Sequence, residues 1–116
     1  MDSKLEKRSG RPLHVSSTTA DGLTTVPVAG EVDHTTSAQL EGELALAVTS
    51  GAQCIEVDFR RVSFCDCSGL NALLSARAHA QEAGVCFGVS GPVAPVVARL
   101  LQMAEVEPLL LTRRAA

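Results

Sequence analysis

Two short β-rich runs open the ordered pattern of the chain, Leu13-His14-Val15 and Leu23-Thr24-Thr25-Val26-Pro27-Val28, on either side of Ala20-Asp21-Gly22. An Asp-Gly pair between two such runs predicts a β-hairpin. Pro27 cannot donate a ladder hydrogen bond, so it is expected at an unpaired edge or a bulge. From Thr36 the period lengthens: Leu40, Leu44, Ala47 and Val48 recur at helical spacing, with Thr36 or Ser37 as cap and Gly51 as terminator. Cys54-Ile55-Glu56-Val57-Asp58-Phe59 then has the character of an inner strand, and Leu70, Leu73, Leu74 and Ala78 form the stripe of a second helix ending near Gly84. Val85-Cys86-Phe87-Gly88-Val89 is a nearly continuous apolar run of the kind buried in parallel sheets. Val93, Val96, Val97, Leu100 and Leu101 mark a third helix, entered through Ser90-Gly91-Pro92 with Pro95 in its first turn, and Leu109-Leu110-Leu111 suggests a last short strand. The predicted order is β-β-α-β-α-β-α-β. It implies a single α/β domain with a mixed, mostly parallel sheet and helices packed on it.

Length fits one domain: 116 residues can enclose one continuous core. Residues 1–11 are polar and charged and are read as a mobile tail, with residues 12–116 as the domain. The apolar share of 46% rests on Val, Leu and Ala; there is no Trp or Tyr and only three Phe. With a net charge of −3 and lysines only at positions 4 and 7, the chain lacks a basic or aromatic face for nucleic acid. No apolar run follows the charged N-terminus and no segment approaches the ~20 apolar residues of a membrane span. The expected setting is the cytoplasm.

Chemistry concentrates in Phe64-Cys65-Asp66-Cys67-Ser68-Gly69-Leu70, which sets a carboxylate between two thiols and then adds a hydroxyl and a glycine. The segment joins the strand at 54–59 to a helix starting near Ser68, so it lies at the carboxyl edge of the sheet, where open α/β folds place their sites. Asp66 or Ser68 can supply the capping oxygen, and Gly69 permits a close approach of backbone. Zinc ribbons need two close Cys pairs, whereas this chain has one C-x-C and two isolated cysteines, Cys54 and Cys86, within apolar runs. Those two are expected as core filler, which predicts four reduced cysteines, no bound metal, and Cys67 as the most reactive thiol. Cys54 and Arg60 have the spacing of a cysteine phosphatase loop, but CIEVDFR lacks its glycines and reads as a strand. A small thiol enzyme or redox sensor using Cys67 stands as the rival to a binding module.

The same stretch resembles the signature of the STAS domain family, the anti-sigma factor antagonists, in which an apolar-Asp-Ser-Ser/Thr-Gly-Leu turn opens a helix. Ala29-Gly30-Glu31-Val32-Asp33 followed by Ser37-Ala38-Gln39-Leu40 is similar to a second family element, and Val57-Asp58-Phe59-Arg60-Arg61-Val62 to a third. The resemblance runs in order over about residues 13–111. It implies a non-enzymatic protein without cofactor that binds an anti-sigma factor with an ATP-binding kinase fold and so releases a sigma factor. In the family the kinase phosphorylates the serine after the motif aspartate. That position here is Cys67, and Ser68 matches the second hydroxyl. By the same resemblance, Asp66, Cys67, Ser68, Gly69 and Asn71 at the helix entrance, with Glu31 and Asp33 on a facing loop, line the partner surface. A homodimer and a sensed small ligand stay open.

Overall fold

The computed structural model describes residues 12–104. The elements run β1 (His14–Val15), β2 (Thr18–Ala20), β3 (Leu23–Val32), α1 (Ser37–Val48), β4 (Cys54–Cys65), α2 (Cys67–Ala83), β5 (Cys86–Ser90) and α3 (Pro95–Met103). One sheet has the order β1-β3-β4-β5, with β2 also paired to β3. β1 and β2 are antiparallel to β3, while β3, β4 and β5 are mutually parallel neighbours. The expected α/β class and mixed sheet are therefore present. The first hairpin strand, however, is split in two around Ser16-Ser17. The expected tail at 1–11 and strand at 109–111 lie outside the described residues.

The hairpin turns where the Asp-Gly pair predicts. Ala20 pairs with Leu23, and both turn residues have positive φ, 53° at Asp21 and 81° at Gly22, a combination whose twist matches that of the flanking strands. Along β3, even-numbered residues turn inward: Thr24, Val26, Val28 and Val32 are buried. Ile55, Val57 and Phe59 of β4 do the same, and Cys54, Glu56 and Asp58 face the other side half-buried. Pro27 pairs with Asp58 beside a register shift, so it occupies an irregularity rather than an edge.

The inward rows meet the apolar stripes of the helices in one cluster. α1 contributes Leu40, Leu44, Ala47 and Val48; α2 contributes Leu70, Ala72, Leu73, Ala76 and Ala80; α3 adds Val97 and Leu101. Each fully buried Leu, Val or Phe gains about 1.5–3 kcal/mol over its exposed state, so this cluster is the main source of stability. Ala78, expected on the α2 stripe, is exposed, because the buried face runs through Gly69, Leu73, Ala76 and Ala80. Gly84 ends α2 at φ 73°, and Pro95 begins α3 where its missing N–H costs nothing. No helix among the described residues is long and apolar enough to cross a membrane.

Candidate functional site

β4 reaches the site by way of two bulges. Its inward alternation breaks at Arg60-Arg61 and again at Ser63-Phe64, each time by one extra residue relative to β3. An extra residue bends a strand and re-aims the side chains beyond it. Val62 and Cys65 thereby still point inward, and the end of β4 stays level with the end of β3, Cys65 pairing with Val32. β4 thus runs past the strand end expected at Phe59 and takes in Phe64 and Cys65 of the expected connection. Only Asp66 separates it from α2.

Asp66 is the N-cap. Its backbone N–H donates to Val32 C=O at 3.1 Å, and its Oδ1 accepts from the Ser68 and Gly69 N–H groups at 2.9 and 3.4 Å. The carboxylate so satisfies donors that the first helical turn leaves unpaired. Gly69 packs the helix start onto the sheet: a Cβ there would lie 2.6 Å from both Cys65 Sγ and Val32 Cγ1. It is buried, so its part is to set the height of the helix entrance rather than to present a surface to a partner. Cys67 is exposed, Ser68 half-buried and Asn71 exposed.

Asp33 holds the equivalent place on the neighbouring strand, one residue beyond β3. Its Oδ1 accepts from the Thr35 N–H at 2.9 Å, the Thr35 hydroxyl at 2.7 Å and the Thr36 N–H at 3.2 Å, while Thr36 Oγ1 accepts from Asp33 N–H at 3.0 Å. The Thr35 hydroxyl, aided by these N–H groups and opposed by slight burial, holds the carboxyl below its usual range. Asp33 is thus a turn-forming residue as well as a surface charge. Glu31 lies within β3, opposite Phe64 in the register, and not on a loop as expected. Phe64, 39% exposed, adds an apolar spot beside Glu31 that the candidate set omits. Its signal in the sequence was a large aromatic two residues before Asp66, but strand register decides which way it faces.

The cysteines divide into two pairs. Cys65 is buried, and burial, then Asp66, then Cys67, push its thiol up to about 12. Cys54 and Cys86 are joined as a disulfide, which overturns the expectation of four reduced thiols. They are direct partners in the β4–β5 ladder and sit on the side away from the core, Cys54 half-buried and Cys86 exposed, so they are not core filler. A register between strands 32 residues apart is not written in either local run. A groove of about 430 Å³ between α1 and α2, lined by Ala38, Glu41, Gly42, Ala45, Ala72, Ser75, Ala76 and His79, includes none of the candidate residues.

The family model described as Mlab, STAS domain matches residues 15–112. The chain belongs to the STAS domain family. Solved structures with this fold include an anti-sigma factor antagonist from Mycobacterium paratuberculosis, 22% identical, with a TM-score of 0.79 over 90% of this chain and 88% of that one. The unphosphorylated form of the anti-sigma factor antagonist SpoIIAA is 20% identical, with a TM-score of 0.72 over 87% of this chain and 90% of that one. The phosphorylated form of the Bacillus SpoIIAA is 17% identical, with a TM-score of 0.65 over 89% and 93%. No curated protein matches the sequence. For this STAS domain, the paired carboxyl edges of β3 and β4, with Asp33 and Asp66 at the entrances of α1 and α2, form the candidate surface.

Proposed function

We propose that this STAS domain is an anti-sigma factor antagonist that docks a kinase-type anti-sigma factor at the entrances of α1 and α2. The observation that carries the reading is the position after the Asp66 cap: it is exposed, one residue into a helix, beside a second helix entrance on the adjoining strand. A phosphate there would meet the positive end of α2, which favours an anion, so the fold would tolerate it. Its charge of about −1.5 to −2, added beside Asp66 and near Asp33, would repel an acidic or apolar partner face. SpoIIAA, which shares the fold, has been solved in unphosphorylated and phosphorylated forms, which supports a switch of this kind.

Cys67 occupies that position, and kinases of this type transfer to hydroxyls. The wild-type protein is therefore expected to accept phosphate slowly or not at all and to act as a largely constitutive binder. Ser68 lies about 100° further round the helix, and its own N–H is committed to Asp66. The test measures capture of, and phosphate incorporation by, the source organism's kinase-type anti-sigma factors, using wild type, Cys67→Ser and Cys67→Ser/Ser68→Ala. Capture by the wild type, with fast labelling only in the two Cys67→Ser proteins, supports the reading. Rapid stoichiometric labelling of wild type at Ser68 would show that the switch has moved by one residue, and absence of capture would remove the function.

A further inference from the structure

The Cys54–Cys86 pair lies at the amino ends of β4 and β5, at the far end of β4 from Asp66. The two Cα atoms are 4.4 Å apart, and a bond from Cys86 N–H to Gln53 C=O at 3.0 Å fixes where β5 begins. Below them in the ladder, Ile55 pairs with Phe87 and Val57 with Val89, and both rows belong to the core or pack against it. The backbone positions of both cysteines are therefore set by the sheet, whether or not their sulfurs are bonded to each other. Thiol–disulfide exchange requires an attacking thiolate to reach one sulfur while the other leaves. Cys86 is exposed and Cys54 half-buried, which distinguishes an attacked sulfur from a leaving one.

We propose that Cys54 and Cys86 form a reversible thiol–disulfide couple, exchanging with dithiol reductants by attack at Cys86. The reductant's thiolate forms a bond to Cys86 Sγ as the Cys54–Cys86 bond breaks, and the electron pair leaves on Cys54 Sγ, which takes up a proton. The reductant's second thiol then attacks its own sulfur in the mixed disulfide, releasing Cys86 as a thiolate that is protonated in turn. Two electrons and two protons pass from the dithiol to the pair, and the reductant departs as its own disulfide. Oxidation is the reverse reaction, with a disulfide as oxidant. The strands hold both residues in register throughout, so neither direction requires the fold to open. The couple is independent of the partner-binding reading.

Native wild-type protein is incubated with graded ratios of reduced to oxidised dithiothreitol, free thiols are trapped by alkylation, and tryptic peptides are weighed by mass spectrometry. Cleavage after Arg60, Arg77 and Arg99 puts Cys54, the Cys65/Cys67 pair and Cys86 on three different peptides. The expected result is a linked pair of peptides, ending at Arg60 and Arg99, that disappears with a single two-electron dependence while far-UV circular dichroism stays constant. Two outcomes would overturn the proposal. One is free Cys54 and Cys86 at every ratio, including the most oxidising. The other is a link that dithiothreitol breaks only after denaturant has unfolded the chain.

Discussion

Cys65 and Gly69 show how closely the site turn is tied to the core. Cys65 is 5% exposed, and its thiol stays protonated to about pH 12 in the fold, against 9.0 without the surroundings. Below 9.0 both the folded and the unfolded states hold the proton; above it the unfolded chain releases a proton that the folded one keeps. Stability is therefore expected to fall as pH rises above 9.0, approaching about 1.4 kcal/mol per pH unit. Urea unfolding of wild type and Cys65→Ala at several pH values between neutral and alkaline checks this; equal slopes in the two proteins would count against it. Gly69→Ala sets two effects against each other. Alanine in a helix is favoured over glycine by about 1 kcal/mol, whereas forcing a methyl into a filled space costs about 1–3 kcal/mol. Because Cys65 and Val32 are buried and stand 2.6 Å from the added Cβ, the clash is expected to win. A lower urea midpoint, with slower capture or none, is the expected outcome.

At the level of the elements, periodicity made the three helices and the central strands legible, since burial on one face leaves a repeat in the sequence. Gly51, Gly84 and Pro95 marked their ends through backbone geometry that other residues adopt poorly. The length of β4 was not legible, because bulges erase the two-residue alternation on which strand recognition depends. The first bulge has a local cause. Arg60 N–H donates to Asp58 Oδ1 at 3.0 Å, and the Arg60 guanidinium reaches both carboxylate oxygens. That guanidinium, with the N–H, lowers the Asp58 pKa, so its contribution is present above about pH 3.8 and lost as pH falls through the lowered value. The Arg60 side chain is 61% exposed and Asp58 only 19%, which makes the ion pair itself worth little. Asp58→Ala is thus expected to cost at most about 1 kcal/mol, the net worth of a hydrogen bond whose exposed Arg60 N–H water can take over, and Arg60→Ala less. Urea midpoints in that order support the account; the reverse order would place the stability in the side-chain pair. Of the two capping residues that the pattern offers, Asp66 is the cap and Ser68 lies within the helix. Glu31 reads as a loop residue in the sequence because nothing local shows that β3 runs on beside a bulged neighbour.

For the molecule as a whole, one sheet and one core cluster join its two ends, from the disulfide at the amino ends of β4 and β5 to the two aspartates at the carboxyl ends of β3 and β4. The connection from β4 to α2 is a single residue whose own N–H is bonded to β3 and whose side chain is bonded to α2. That turn has no slack. A new group at Cys67 cannot tilt the helix start without dragging Asp66, the end of β4 and the glycine contact along with it, and each of these is anchored in the core. A charge placed at this position is therefore expected to act through electric potential rather than displacement: the molecule would present the same shape with a different charge. An amide NMR spectrum of Cys67→Asp should differ from wild type only near residues 31–36 and 64–71, while capture of the partner drops. Shifts spreading along α2 and into β5 would instead reveal a mechanical switch, with the helix acting as a lever.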